Sequence, residues 1–288
     1  MLVSQANQLL GASYQLYRNS KSNDTIVRTV GYALPAILHT HIQTITPTTY
    51  FPSTRQMRET SRRRSFGAQP AQAPPPSGHV VTARQVPGIT PSALRWLYKT
   101  NSYTPTVPHR NKLGILGIDD DYPGELDLTR FMEIYRSEAI DADFSVEQMN
   151  GGDYNPRNPG YFANFGIQYA AALTYPTPLI FYSLGGDKDW NYKGQPTTRD
   201  MYSTWLGNLL VARSPPQTIS IVYGEYEQEL PPDYADALCE LFARLGLRGV
   251  TVLAASGQDG VGAGDCLDAD GIVQFIPEFP SSCTCDVL

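Results

Sequence analysis

Cysteine and histidine are scarce, four of each in 288 residues. The cysteines, Cys239, Cys266, Cys283 and Cys285, all fall in the last fifty residues. They form no C-x-x-C pair and no histidine follows them, which argues against a zinc site. Long apolar runs are missing: nothing approaches the roughly 18 apolar residues of a membrane-spanning helix. The first twenty residues have neither a basic n-region nor an apolar h-region, so no signal peptide is expected in this chain. No GxSxG and no GxxxxGK(S/T) occurs. Gly260, Gly262 and Gly264 lack the GxGxxG spacing and precede no helix pattern, so nucleotide binding is not expected. His39, His41, His79 and His109 lie off every predicted strand end, which leaves a Ser-His-Asp triad without its base. Positive charge is in deficit, with 22 Lys and Arg against 28 Asp and Glu, so the chain as a whole is no nucleic-acid binder.

What is present is globular in composition, 41% apolar and 17% charged, and neither disordered nor collagen-like. The charge is split along the chain. Residues 1–88 hold nine of the basic residues and two of the acidic ones, a balance of +7; the remainder is at −13. Residues 1–60 predict a small mixed unit. Ser4 is placed to cap a helix with Ala6, Leu9 and Leu10, strand-like runs follow at Ala12–Tyr17 and Ile26–Tyr32, and Pro35 opens a helix-like stretch with Ile37, Leu38 and Ile42. That is little material for a core of its own. Residues 61–88 change to Pro, Gly, Ala and Gln without periodicity, the composition of a linker. Arg62, Arg63 and Arg64 at its start admit two readings, a solvated charge cluster or a processing site for a protease. Asn23-Asp24-Thr25 is a glycosylation sequon of the frequency expected by chance.

Residues 89–288 alternate helix and strand. Thr90-Pro91 reads as an N-cap with proline at the first helical position. Leu113–Ile118, Phe144–Met149, Pro178–Ser183, Thr218–Tyr223 and Val250–Ala254 read as strands. Between them lie helical patterns through Leu128–Tyr135, Phe162–Thr174, Tyr202–Leu210 and Tyr234–Leu245, the last ended by Gly246. Five strands with intervening helices predict an α/β fold, a parallel sheet covered on both faces. An ending so soon after Pro277 and Pro280 is abrupt for such a domain.

Sites in these sheets lie beyond the carboxyl ends of the strands. Those loops carry Asp119-Asp120-Asp121, Gly185-Gly186-Asp187, Gly224-Glu225-Tyr226-Glu227 and Ser256-Gly257-Gln258-Asp259. The triple Asp reads as a cation site or, given mutual repulsion, more naturally as a solvated turn. Glu225 and Glu227 read as an acid/base pair or as rim carboxylates on one face of an extended segment.

Several long segments resemble the fungal sedolisins, the serine-carboxyl peptidases that include acid tripeptidyl peptidases. Residues 3–51 are similar to the later half of the sedolisin propeptide. GITPSALRWLY at 88–98 resembles the start of the mature domain. Residues 149–186 resemble the segment that carries the catalytic acids, and 215–262 the SYGDxE and SSGDxGVG region. The resemblance implies a subtilisin-like parallel sheet, cut short at its C-terminal side, after part of a propeptide unit. It divides the chain into a partial propeptide at 1–60, a linker at 61–88 and a partial peptidase domain at 89–288. It further implies a serine nucleophile, a glutamate base, an aspartate that orients it and an aspartate at the oxyanion hole. A carboxylate base suits acidic pH, where imidazole is already protonated. The leader of +7 on a body of −13 fits an acid-released propeptide.

Residue by residue this chain departs from the pattern. The family helix reads roughly G-x-E-A-N-L-D-I-Q-Y, and here Phe162 stands at the glutamate and Gly166 at the aspartate. The two are one helical turn apart. Glu225 stands at the oxyanion aspartate, one methylene longer, a displacement of roughly 1 Å. Gln258 replaces the acid of SSGDxGVG. The SGTS serine motif and the calcium site of the complete family domain lie beyond the chain end, so no cofactor is expected in this chain. Hydrolysis is therefore not expected of it. It reads as a partial product of a peptidase gene or as a pseudopeptidase that binds peptides or a related peptidase, and with less support as a peptidase using substitute acids. By resemblance, Cys266 and Cys283 are the expected disulfide, with Cys239 left to pair elsewhere. A monomer is expected, with no nucleic-acid or membrane partner, on an extracellular or vacuolar route.

Overall fold

The computed structural model describes residues 2–18, 20, 25–46, 48–49, 51, 89–118, 121–185, 201–257, 260–262 and 272–284. The Arg62–Arg64 cluster and the whole 61–88 segment lie outside the described residues.

The leading unit is helix α1 (Val3–Leu10) followed by strands β1 (Gln15–Arg18) and β2 (Thr25–Arg28). The strands pair antiparallel, Gln15 opposite Arg28 and Arg18 opposite Thr25. Ala6, Leu10 and Ile26 bury their side chains, and Arg28 is buried with them, its Nη1 donating to the Val27 carbonyl at 3.0 Å. Ser4 does not cap α1 as expected; the helix begins at Val3, and the Gln5 side chain reaches back to the Leu2 N–H at 2.9 Å. The stretch after Pro35 is a single 3-10 turn, Ala36–Leu38, rather than a longer helix. Thr44 Oγ1 donates to Asp233 Oδ2 at 3.1 Å, a bond between this unit and the body of the chain.

The body opens with α2 (Pro91–Leu97). Thr90 caps it as read, accepting from Ala93 N–H at 3.1 Å. There follow β3 (Leu113–Gly117), α3 (Glu125–Tyr135), β4 (Phe144–Met149), α4 (Tyr161–Thr174), β5 (Leu179–Leu184), α5 (Met201–Val211), β6 (Thr218–Ile221), β7 (Glu225–Tyr226), α6 (Pro232–Leu247), β8 (Thr251–Ala254) and β9 (Glu278–Phe279). Five strands form one parallel sheet in the order β4-β5-β3-β6-β8. β3 and β5 are buried along their whole length. Their alternating side chains serve two cores. Leu113, Ile115, Leu179 and Phe181 point to the face covered by Leu128 and Met132 of α3 and Ala163 and Ile167 of α4. Leu116, Ile180, Tyr182 and Leu184 point to the face covered by α5 and α6, where Trp205, Leu206, Leu238 and Phe242 close the core. The fold is thus the α/β class expected, with helices on both faces.

Two details of the body also differ from the sequence reading. Helix α6 runs through Gly246, and Gly249, at φ +79°, takes the left-handed turn that ends it. Gly246 keeps helical geometry because five residues of α6, Tyr234, Ala235, Leu238, Phe242 and Leu245, are buried in the core shared with the sheet and α5. The second difference is the disulfide, which joins Cys239 to Cys283, with Cα atoms 5.3 Å apart, and not Cys266 to Cys283. The cause is the short antiparallel pair of β7 and β9, absent from the sequence reading. It buries Phe279 against Tyr202 of α5, ring centroids 6.0 Å apart, and so delivers Cys283 to the α6 face that carries Cys239. Cys266 lies outside the described residues.

Candidate functional site

Strand order fixes where a crevice opens. The chain leaves β3 toward β4 on one side of the sheet, and leaves β6 toward β8 on the other, while β3 and β6 are neighbours. Their carboxyl ends are therefore the topological switch point, the usual ligand position in an open parallel sheet. Three pieces of chain meet there: the loop after β3 that ends at Asp121 and Tyr122, the start of α4, and the Val222–Glu225 segment after β6.

Asp121 joins them. Its Oδ2 accepts from Ala163 N–H at 3.0 Å and from the Tyr223 hydroxyl at 3.0 Å. Phe162 N–H donates to the same carboxylate. The residue before α4, Gly160, has no side chain to cap the helix, and a Cβ there would overlap Asp121 Oδ1. The cap of α4 thus comes from a loop some forty residues upstream. Burial pushes the Asp121 carboxyl above its ordinary value, and the hydrogen bonds from Ala163, Tyr223 and Phe162 pull it partly back. The triple Asp is therefore not a solvated turn at Asp121; Asp119 and Asp120 lie outside the described residues.

Phe162 and Gly166 lie on successive turns of α4. The Phe162 ring faces Tyr223 at 6.2 Å and Tyr161 at 5.3 Å, near perpendicular in the second case, and packs onto the core shared with α5 and α6. A Cβ at Gly166 would stand 3.2 Å from Ile115 Cγ2 of β3, so the helix backbone lies close on the sheet at that point. Asn164, between them, binds α4 to α3: its Oδ1 accepts from Gly124 N–H and its Nδ2 donates to Asp127 Oδ2, both at 2.8 Å.

Glu225 is almost wholly buried, 4% exposed, on β7 opposite Phe279. Glu227 does not continue the strand; it opens a 3-10 turn, its N–H donating to Pro277 O at 3.0 Å. The extended alternation that would pair the two acids on one face stops at Tyr226. The structure adds a carboxylate that the sequence reading passed over. Glu278 of β9 lays its side chain against the backbone of Gly224 and Gly257: a Cβ on Gly224 would be 2.8 Å from Oε2, and one on Gly257 would overlap Oε1. Gly257 has φ +80°. Only the β7–β9 pairing brings Glu278 there, and no local pattern announces it. Gln258 and Asp259 lie outside the described residues. Among the described residues no group of three or more His, Cys, Asp or Glu is placed to hold a metal ion. No helix among them is long and apolar enough to cross a membrane.

Chemically, the α4 face offers an aromatic ring and a bare backbone where two acids are expected of the sedolisin pattern. The carboxylates near the switch point come from the strand-end loops and β9 instead.

Residues 1–51 match the family model described as Pro-kumamolisin, activation domain. The probable tripeptidyl-peptidase SED3 of Arthroderma benhamiae is 32% identical, the tripeptidyl-peptidase SED3 of Arthroderma otae 31%, and the tripeptidyl-peptidase sed4 of Aspergillus fumigatus 30%. Each alignment takes in 98% of this chain and 48% of the relative, so the chain spans about half the length of the curated relatives it matches. Among solved structures, Pseudomonas sedolisin, a serine-carboxyl proteinase complexed with two molecules of pseudo-iodotyrostatin, is 18% identical. That match covers 69% of this chain and 52% of that one, with a TM-score of 0.47. The chain is thus similar over nearly its whole length to one half of these tripeptidyl-peptidases, and over residues 1–51 to the Pro-kumamolisin activation domain.

Proposed function

We propose that the described site binds peptides without hydrolysing them by the carboxylate route of its family. The observation that carries this is the side-chain content of α4. Phe162, at the position of the family's glutamate, packs on Tyr223, and Gly166, at the position of its aspartate, has no side chain. Neither can accept or relay a proton. Without the general base and its orienting acid, what is left is peptide binding and residual electrostatics. Glu225, at the oxyanion position, keeps a carboxyl group but holds it buried on β7.

The partner in this reading is a peptide, or a related peptidase that offers one. The compartment is extracellular or vacuolar, in keeping with the Cys239–Cys283 bond. The test has two arms. Chromogenic tripeptides at pH 3–5 are expected to give no turnover, and titration with the same peptides is expected to show saturable binding. Turnover that disappears in Glu225→Gln would mean substitute acids and an active peptidase. Absence of any saturation would refute the binding reading.

A further inference from the structure

Asn150 and Gly151 make the one Asn-Gly step in the sequence. They stand just past β4, against the end of β5. Asn150 takes the left-handed region at φ +55°, and Gly151 follows at φ +81°. The Asn150 side chain is half-buried, and its Nδ2 donates to the Gly185 carbonyl at 2.9 Å, which ties the end of β4 to the end of β5. Gly151 is exposed, and a Cβ on it would meet nothing within 4 Å. Among the described residues nothing accepts from its N–H. A side-chain amide carbon thus precedes a backbone nitrogen that no side chain shields.

We propose that Asn150 is a deamidation site, and that its conversion loosens the joint between the ends of β4 and β5. Hydroxide removes the Gly151 amide proton, the nitrogen attacks Asn150 Cγ, and the Cγ–Nδ2 bond breaks with release of ammonia. Water then opens the cyclic imide at either carbonyl and leaves aspartate or a β-linked isoaspartate. Nothing is oxidised or reduced. The bond to Gly185 must open before each attack. Asn150 still reacts ahead of the other asparagines, because each of those is followed by a residue whose side chain crowds the nitrogen or by proline, which has no N–H.

The joint has no slack to absorb the change. A Cβ on Gly152 would stand 2.1 Å from the Ser183 carbonyl oxygen, and one on Gly185 would stand 2.4 Å from the Gly151 carbonyl carbon. The N–H groups of Gly152 and Gly185 both donate to the Met149 carbonyl, at 2.8 and 3.0 Å. The product carboxylate sets an acceptor against the Gly185 carbonyl where a donor stood. The β-linked product adds a backbone atom between segments that lack room for a methyl group. Strand β5 pairs with β3, so the loosened joint lies one strand away from the switch point.

The test is peptide mapping by mass spectrometry on the full folded chain, stored at neutral and at mildly alkaline pH. The peptide that holds residues 149–152 is expected to gain the mass difference between oxygen and NH and to split into an aspartate and an isoaspartate form. Its rate should rise in step with hydroxide, while the peptide with Asn101-Ser102 keeps its mass. Asn150→Gln, which can close only a larger and slower-forming ring, should keep its mass on the same storage. Urea denaturation of the stored native chain should show a midpoint that falls as the modified fraction grows. Fresh Asn150→Asp should show the same lower midpoint and faster amide exchange at Gly185. If Asn150→Asp does not fold, the stored native chain, set against its fresh portion, decides the matter. A mass gain that comes first at other asparagines would overturn the site. A modified chain with the midpoint and Gly185 exchange of the fresh one would overturn the loosened joint.

Discussion

Replacing Gly160 by alanine separates two opposed effects. A glycine at φ −98° and ψ 164° sits in ordinary extended space that alanine also adopts. On backbone grounds alone, Gly160→Ala should stabilise the chain by about 0.4–1 kcal/mol, because alanine leaves the unfolded chain less freedom. The structure predicts the opposite. The new Cβ would occupy the position of Asp121 Oδ1, and Asp121 is fixed at its other oxygen by Ala163 N–H and Tyr223. The carboxylate must leave, and α4 loses its cap. Losing an N-cap costs about 0.5–2 kcal/mol, and the lost Tyr223–Asp121 hydrogen bond adds about 1 kcal/mol. Set against the backbone gain, the net loss is about 0.5–2.5 kcal/mol. Urea denaturation at pH 7 reads it as a lower midpoint with an unchanged slope. Gly160→Ala in Asp121→Ala should lose most of its cost, since the clash is gone. A stabilised Gly160→Ala single variant would refute the seating of Asp121 on this backbone.

Four further outcomes are expected. Gly246→Ala, in the last turn of α6 with open space around the new methyl, should stabilise by about 0.5 kcal/mol, checked by the same titration. Arg136→Ala should cost about 2 kcal/mol, because this nearly buried guanidinium donates to the Ala172 carbonyl in the last turn of α4 and pairs with Glu138 at 3.1 Å. Reduction, or Cys239→Ser with Cys283→Ser, should lower stability by up to about 4 kcal/mol, the loop-closure value for a separation of 44 residues, visible as a lower melting temperature. The folded chain keeps a proton on Asp121 at pH values where the unfolded chain, with an ordinary value of 3.8, has lost it. Stability contributed by this group is thus present in acid and lost as pH rises through its raised value. The native chain should lose stability relative to Asp121→Asn over that rise, measured by urea midpoints at a series of pH values.

The parallel sheet was legible because its strands are short apolar runs bounded by turns. Phe144–Met149 matches the observed strand residue for residue, and Thr90 caps α2 as its chemistry requires. These are local signals. The site was legible only at the level of loops, since its partners are remote in sequence. Asp121 meets Ala163 across 42 positions and Tyr223 across 102. Nothing in a run of three aspartates says which of them turns inward. The Cys239–Cys283 bond was missed for a related reason. It depends on β7 and β9, two residues each, too short for any periodicity to register. Glu278 enters the site by the same pairing. Phe162 and Gly166, by contrast, are singled out by a continuous segment that resembles the family's, and the structure places both on α4.

The bond between Cys239 and Cys283 also governs how damage to this chain would look. It spans β8 and the whole stretch leading to β9. A single cut by a protease between the two cysteines would leave both pieces covalently joined, migrating as one band on a denaturing gel until a reductant is added. Intact mass under non-reducing conditions would rise by only one water. A preparation judged whole by size alone can therefore already be two chains, and its loss of function would be blamed on the site rather than on a severed backbone.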